Sequence, residues 1–357
     1  MTETFINDEA VGSFRTHSHY LSAFAHLAGF SGVTTTERGL ETLAQTLANR
    51  VPASTKPQPQ PVDVGLVLDC LNRAWGTELI LNMTRHTARD QDLIRLANSW
   101  GAVQLYYISY GATQALITAE GRERPTNHPG TQDQVGALWI TRAFSVAPWS
   151  FAMGDPGHKE SAADGSRNGP GRPLADVHAW TTCDRDNCWD IAAKALTSTR
   201  AHAIDAKLDK LRFELVAAQK KSWRAEETAR RAQGKAGRKE PTWPRKGRLK
   251  PAQRAAAIAK VRPHTMVDYL FRLRIKANYE DARMFTEGPQ NDLESSVVAR
   301  DIVNLASATM LAHEMRIGRL IGRQVLGNAV DDWLRRNARP DERYGLGLRR
   351  ELLFTHL

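Results

Sequence analysis

Between Leu105 and Gly130 the chain reads LYYISYGATQALITAEGRERPTNHPG, and no other stretch constrains its folding as tightly. Ser109, Gly111, Ala112 and Ala115 recur at helical spacing beside Tyr106, Tyr110 and Leu116. A helix with that face lets a second helix approach closely while the tyrosines fill the rim of the contact. Gly121 ends the helix, and a basic turn with Arg122, Arg124 and His128 follows.

Helical patterning extends over most of the chain, and no segment reads as a clear strand. Short helical patterns cover Tyr20–Leu27 and Glu37–Leu47, the second opened by capping threonines at 34–36. The run VPASTKPQPQPVD then favours an extended linker and forbids helix. Leu66, Leu68, Leu71 and Trp75 form one apolar stripe, and Leu93, Leu96, Trp100 and Val103 another. Thr131 with Gln134 reads as a capping box for a helix over Val135–Phe144. Trp139 and Trp149 sit in apolar surroundings and read as core. Ser145–Asp176 is rich in Gly, Pro, Ser and Asp and reads as a long irregular loop. A long helix starts near Trp189, and Gly234–Pro251 breaks it as a basic loop. A second helical block follows, with helix over Met266–Phe285 and again from Asp292 to Leu326.

The expected fold is therefore all-α, two helical-bundle blocks joined by a long basic helical arm. Its expected parts are an N-terminal helical segment and linker (1–62), a helical bundle with the irregular loop (63–180), the arm (181–262) and the second block (263–357).

The chain has 357 residues, 41% hydrophobic and 25% charged, ordinary values for a protein with a buried core. It contains no run of about 18 apolar residues, so no membrane span or membrane partner is expected. Three cysteines (Cys70, Cys183, Cys188) are too few and scattered for a disulfide framework, and the acidic start MTETFINDEA lacks a secretion pattern. A cytoplasmic location is expected.

The net charge of +10 is concentrated. Residues 206–262 hold about 18 Lys/Arg against 5 Asp/Glu, leaving the rest of the chain near −3. Such a block attracts polyanions through phosphate neutralisation and counterion release. Its candidate nucleic-acid contacts are Lys220, Lys221, Arg224, Arg230, Arg231, Lys235, Arg238, Lys239, Arg245, Lys246 and Arg248, with Trp243 placed to stack on an unpaired base. The other reading is a solvated arm that packs on an acidic protein partner. Trp223 is open to the same two readings, stacking on a base or docking the arm, and the paired acids Glu226 and Glu227 read as solvated.

The order tyrosine pair, alanine-rich helix, Gly, basic residue and Pro-Thr-x-His-x-Gly, in residues 105–130, resembles the core of the HEPN superfamily (higher eukaryote and prokaryote nucleotide-binding domains). HEPN proteins are small α-helical modules of bacterial toxin, phage-defence and RNA-processing systems. The resemblance implies an RNA-binding protein, favouring RNA over DNA, that works as a homodimer. Catalytic members use an Arg and, four to six residues on, a His. It therefore implies His128 as general acid/base and Arg122 or Arg124 as phosphate clamp in a metal-independent endoribonuclease. Arg172 with His178 and Arg350 with His356 satisfy the same spacing, a frequency chance alone supplies. Glu123 and Pro125 depart from the catalytic pattern, so a non-catalytic nucleotide-binding or partner-binding scaffold remains open beside the enzyme.

Arg274, Asn278 and Asp281 fall at i, i+4 and i+7 and predict one polar helical face. That face could position RNA, or it could be an intrahelical network that orients Tyr279 against the bundle. No metal and no cofactor is expected: His178, Cys183 and Cys188 lack a second ligand pair, and the glycines between 154 and 171 lack the Lys-Ser/Thr of a phosphate loop.

Overall fold

The computed structural model describes residues 8–31, 34–51, 61–140, 146–154, 183–337 and 345–357. Most of the proline-rich linker (52–60), most of the expected irregular loop and the Arg172/His178 pair fall outside them. The described residues are all-α, with a single two-residue β pairing. They divide into two compact units, one from residues 1–196 and 264–357 and the other from Thr197–Pro263.

In the first unit, α1 (Asp8–Leu27) and α2 (Thr36–Arg50) precede a central pair, α3 (Val64–Thr87) and α4 (Gln91–Ala119). Asp63 and Asp90 cap the pair by accepting from the backbone N–H of Leu66 and Leu93, both at 2.9 Å. After α5 (His128–Val135), α6 (Cys188–Ala232) and α7 (Pro251–Ala259) come α8 (Met266–Ile275) and the short α9 (Met284–Glu287). Helices α10 (Asp292–Ile321), α11 (Arg323–Asn337) and α12 (Leu346–His356) complete the chain.

Helix α10 is buried on nearly all sides from Leu305 to Gly318 and packs along α4. Small residues set the spacing. A Cβ at Gly111 would come within 3.2 Å of the Ala74 Cβ on α3, and one at Gly101 within 3.5 Å of Ile302 on α10. One hydrophobic cluster runs from Phe14 through Leu71, Leu105 and Leu305 to Leu353. The N-terminal segment and the two helical blocks expected from sequence thus share a single core.

Several local expectations change. On the first half of α4, Leu93, Leu96 and Trp100 are exposed, while Ile94, Asn98, Gly101 and Ala102 are buried. Close approach to α10 at Gly101 leaves no space for the larger side chains, so the small face goes inward. The helix expected over 135–144 begins earlier. Asn127 accepts from the Gly130 N–H at 2.8 Å and a proline follows at the first turn, so α5 starts at His128 and passes into a π-helical turn at Gly136–Ile140. Helix α10 stops at Ile321 because Gly322 takes a φ of 96°. The start of the expected irregular loop is core: Val146, Trp149 and Phe151 are buried, and β1 (Ala152–Met153) pairs antiparallel with β2 (His264–Thr265).

Two buried guanidinium groups tie the helices together. Arg349 on α12 donates to both oxygens of Glu78 on α3 and of Glu314 on α10, and all three are at most 1% exposed. Ser307 and Trp75 complete the carboxylates' shells at 2.9 and 2.7 Å. Arg316 pairs with Glu120, donates to the Leu138 carbonyl at 2.7 Å and lies over the Trp139 ring.

Two buried histidines make the fold acid-sensitive. Burial, with Lys276 and Arg272 nearby, pushes His17 down to about 3. Burial also pushes His313 down to about 3, against the acceptor carbonyl of Thr309. Both are neutral in the fold, whereas the unfolded chain binds their protons below about 6.5. Stability should therefore fall as pH drops from about 6.5 towards 3, by up to about 1.4 kcal/mol per pH unit for each histidine. Denaturant unfolding at pH 7.5, 6 and 5 reads this directly, and equal stability at all three would contradict the burial of neutral imidazoles.

The second unit packs the basic loop back along its helix. Gly234, at a φ of 71°, ends α6, and the Gly247 N–H later returns to the Arg212 carbonyl at 3.1 Å. Glu227, expected to be solvated, is buried under this loop. It accepts from the backbone and side chain of Arg238, at 2.8 and 3.1 Å, and from Arg231 at 3.2 Å. Those donors hold its carboxyl below the usual range.

Candidate functional site

Three elements of the first unit converge on His128. Helix α4 presents Tyr106, Tyr107 and Tyr110, α5 opens with His128 itself, and α8 presents Phe271 and Arg274. The imidazole centroid lies 4.7 Å from Tyr110, 5.4 Å from Tyr106 and 5.6 Å from Phe271. His128 Nδ1 and the Tyr106 hydroxyl share a hydrogen bond of 2.7 Å. With Nδ1–H as the donor, the ring's lone pair lies on Nε2, which has no protein partner among the described residues.

Arg274 is the cation of this site. Its guanidinium carbon sits 5.1–5.5 Å from the ring centres of Phe271, Tyr106 and Tyr107, and Nη1 donates to the Tyr107 hydroxyl at 2.8 Å. It has no ion pair among the described residues, and its buried Nε lacks a partner. Burial and Arg274 together hold the His128 imidazole below its ordinary value. Burial pushes the Tyr106 phenol well up, so it stays protonated. By NMR, His128 should titrate below 6.5, and Arg274→Met should move its midpoint upward by removing a like charge. A midpoint indifferent to that change would separate the two groups.

The arginines implied by sequence turn elsewhere. Arg122 donates to Gln134 at 3.0 Å, and Arg124 donates to the Cys70 sulfur at 3.7 Å. The polar face expected from Arg274, Asn278 and Asp281 is not formed. A π-helical turn at Lys276–Glu280 shifts the register after Ile275, so Arg274 joins His128, Asp281 faces Lys276 at 3.8 Å, and Asn278 is exposed. Tyr279 is 73% exposed and does not pack against the bundle. Sequence reasoning singled out both His128 and Arg274 but not their pairing. The one local hint was Phe271 and Arg274 at i, i+3 on a helix.

In the second unit the basic residues divide into two sets. Arg224 faces Glu240, Arg231 faces Glu227, Arg238 bridges Glu226 and Glu227, and Lys246 meets Asp209 at 2.6 Å. Arg230 donates to the Ala236 carbonyl. Lys221, Lys235, Lys239, Arg245 and Arg248 are exposed, Lys220 is half-buried, and none of these six forms an ion pair among the described residues. The half-buried Trp243 donates to Glu240 at 3.0 Å, and Trp223 lies under Arg238.

Cys70, Cys183 and Cys188 are free thiols, and burial and Cys188 push that of Cys183 up. His178 lies outside the described residues. Among the described residues no helix is long and apolar enough to cross a membrane. No protein-family model matches the chain, and neither a curated protein nor a solved structure is significantly similar to it.

Proposed function

We propose that the protein binds RNA and cuts it without a metal ion at a site centred on His128 and Arg274. One observation carries this reading: the His128 imidazole, hydrogen-bonded to Tyr106 and with no partner at Nε2 among the described residues, lies beside the Arg274 guanidinium, which has no ion pair among them. Nε2 takes the proton of a ribose 2′-hydroxyl, and the oxygen attacks the adjacent phosphorus. Arg274 stabilises the charge gathering on the non-bridging oxygens. The 5′-oxygen leaves and is protonated by water, giving a 2′,3′-cyclic phosphate and a 5′-hydroxyl. The HEPN-like stretch at 105–130 supports the same chemistry, with Arg274 taking the part that the resemblance assigns to Arg122 or Arg124. The unpaired lysines and arginines of residues 197–263 supply salt-sensitive affinity for the polyanion.

The test is a cleavage time course on bulk RNA in EDTA, comparing the wild type with His128→Ala. A second reading, a non-catalytic nucleic-acid-binding or partner-binding scaffold, is favoured by the engagement of Arg122 and Arg124 with Gln134 and Cys70. It expects no cutting by the wild type, with RNA binding that depends on residues 206–262.

A further inference from the structure

A groove of about 660 Å³ opens between α3, α4 and the turn before α5, and it shares Tyr107 and Tyr110 with the His128 site. We infer that this groove holds one unpaired nucleotide of the RNA, its base against the tyrosines and its phosphate on Arg73 and Arg124. The inference rests on the reading of His128 and Arg274 as an RNA site and names what lies beside the scissile phosphate.

Five observations support it. The volume lies within the range of small-ligand pockets. The lining has two guanidinium groups and no carboxylate. Among the described residues Arg124 has only the Cys70 sulfur, at 3.7 Å, and Arg73 has no ion pair, so donors for a phosphate are free at both. Tyr110 lies against the His128 ring and Tyr107 accepts from Arg274, so a base stacked there adjoins the reacting groups. The fifth observation is Gln114, which lines the groove while only 3% exposed. Its Nε2 donates to the Pro125 carbonyl at 3.0 Å, which fixes the amide's orientation because a carbonyl can only accept. The Oε1 is left buried without a partner. A ring or amino N–H of a base held in the groove satisfies this orphan acceptor. A ring N–H is taken up by pairing in a duplex, so a base that offers it here is single-stranded.

Gly76 supplies the means to test it, because a Cβ built there meets nothing within 4 Å. The full chain is titrated at raised salt, to suppress the contribution of the basic unit, with a labelled hexaribonucleotide carrying 2′-O-methyl riboses that cannot be cut. Gly76→Phe and Arg124→Gln should each weaken binding about tenfold or more, while Gly76→Ala binds as the wild type does. One abasic position in the hexamer should cost the wild type a similar factor and Gly76→Phe almost nothing. Wild-type affinity in Gly76→Phe, with its thermal transition intact, overturns the inference. Nucleoside monophosphates that bind more tightly than the hexamer, and lose binding in Gly76→Phe, would support the groove chemistry with a free nucleotide as occupant. The two readings fail separately. Wild-type cutting with an unchanged KM in Gly76→Phe removes the groove alone. No wild-type cutting removes the catalytic reading, and hexamer binding still decides the groove.

Discussion

Methionine in place of Arg349 is expected to cost the fold about 3–5 kcal/mol, read as a large drop in the midpoint of thermal or denaturant unfolding. Arg349 is fully buried on α12 between Glu78 of α3 and Glu314 of α10. Burial opposes its charge, yet the two carboxylates more than compensate and hold its pKa above the ordinary value. Removing the cation leaves two carboxylates facing each other, with Ser307 and Trp75 as the remaining side-chain donors among the described residues. A triple variant, Arg349→Met with Glu78→Met and Glu314→Leu, should recover much of the loss, since well-packed apolar groups commonly replace a buried ionic cluster without penalty. Arg349→Met with near wild-type stability would show that α12 is not fastened through this cluster.

The second large effect concerns chemistry. His128→Ala is expected to lower RNA cleavage in EDTA by about 10²–10⁴-fold, the usual loss on removing a general base. RNA affinity should change little, because the salt-sensitive binding comes from other residues. The Tyr106 hydroxyl loses its partner, so a stability cost of about 1–3 kcal/mol is expected alongside. Imidazole added to His128→Ala should restore part of the activity if the lost group is a proton acceptor, and it would do nothing for a merely structural defect. In the wild type the acid limb of kcat/KM should fall below 6.5, because burial and Arg274 depress the His128 pKa and the neutral ring is the active form. Equal cutting by wild type and His128→Ala would place the chemistry elsewhere.

Much of the local structure was legible in the sequence. Thr35 caps α2 as the threonine run suggested, Trp139 and Trp149 are core, and the small-residue face of α4 meets α3 at Gly111. What was misread followed from choosing a helix face by the size of its apolar residues. Leu93, Leu96 and Trp100 formed the more conspicuous stripe, yet Gly101 and Ala102 allowed the closer contact with α10 and went inward. The candidate site was legible as residues and not as partners. His128 and Arg274 both stood out, but each was assigned to neighbours in its own segment.

The sequence by itself determined the helical class, because 3.6-residue periodicity, caps and glycine stops are local properties. It also determined the concentration of positive charge in residues 206–262. Only the tertiary structure decided that the N-terminal segment and both helical blocks share one core, which buried positions satisfy which others, and which arginine accompanies His128. Tyr107 and Arg274 stand 167 residues apart and meet because α4 and α8 pack together, while a π-helical turn after Ile275 keeps Asp281 on Lys276 instead of Arg274. Spacing along the chain carries no record of such contacts, because side chains from distant segments are brought together only when the shared core closes.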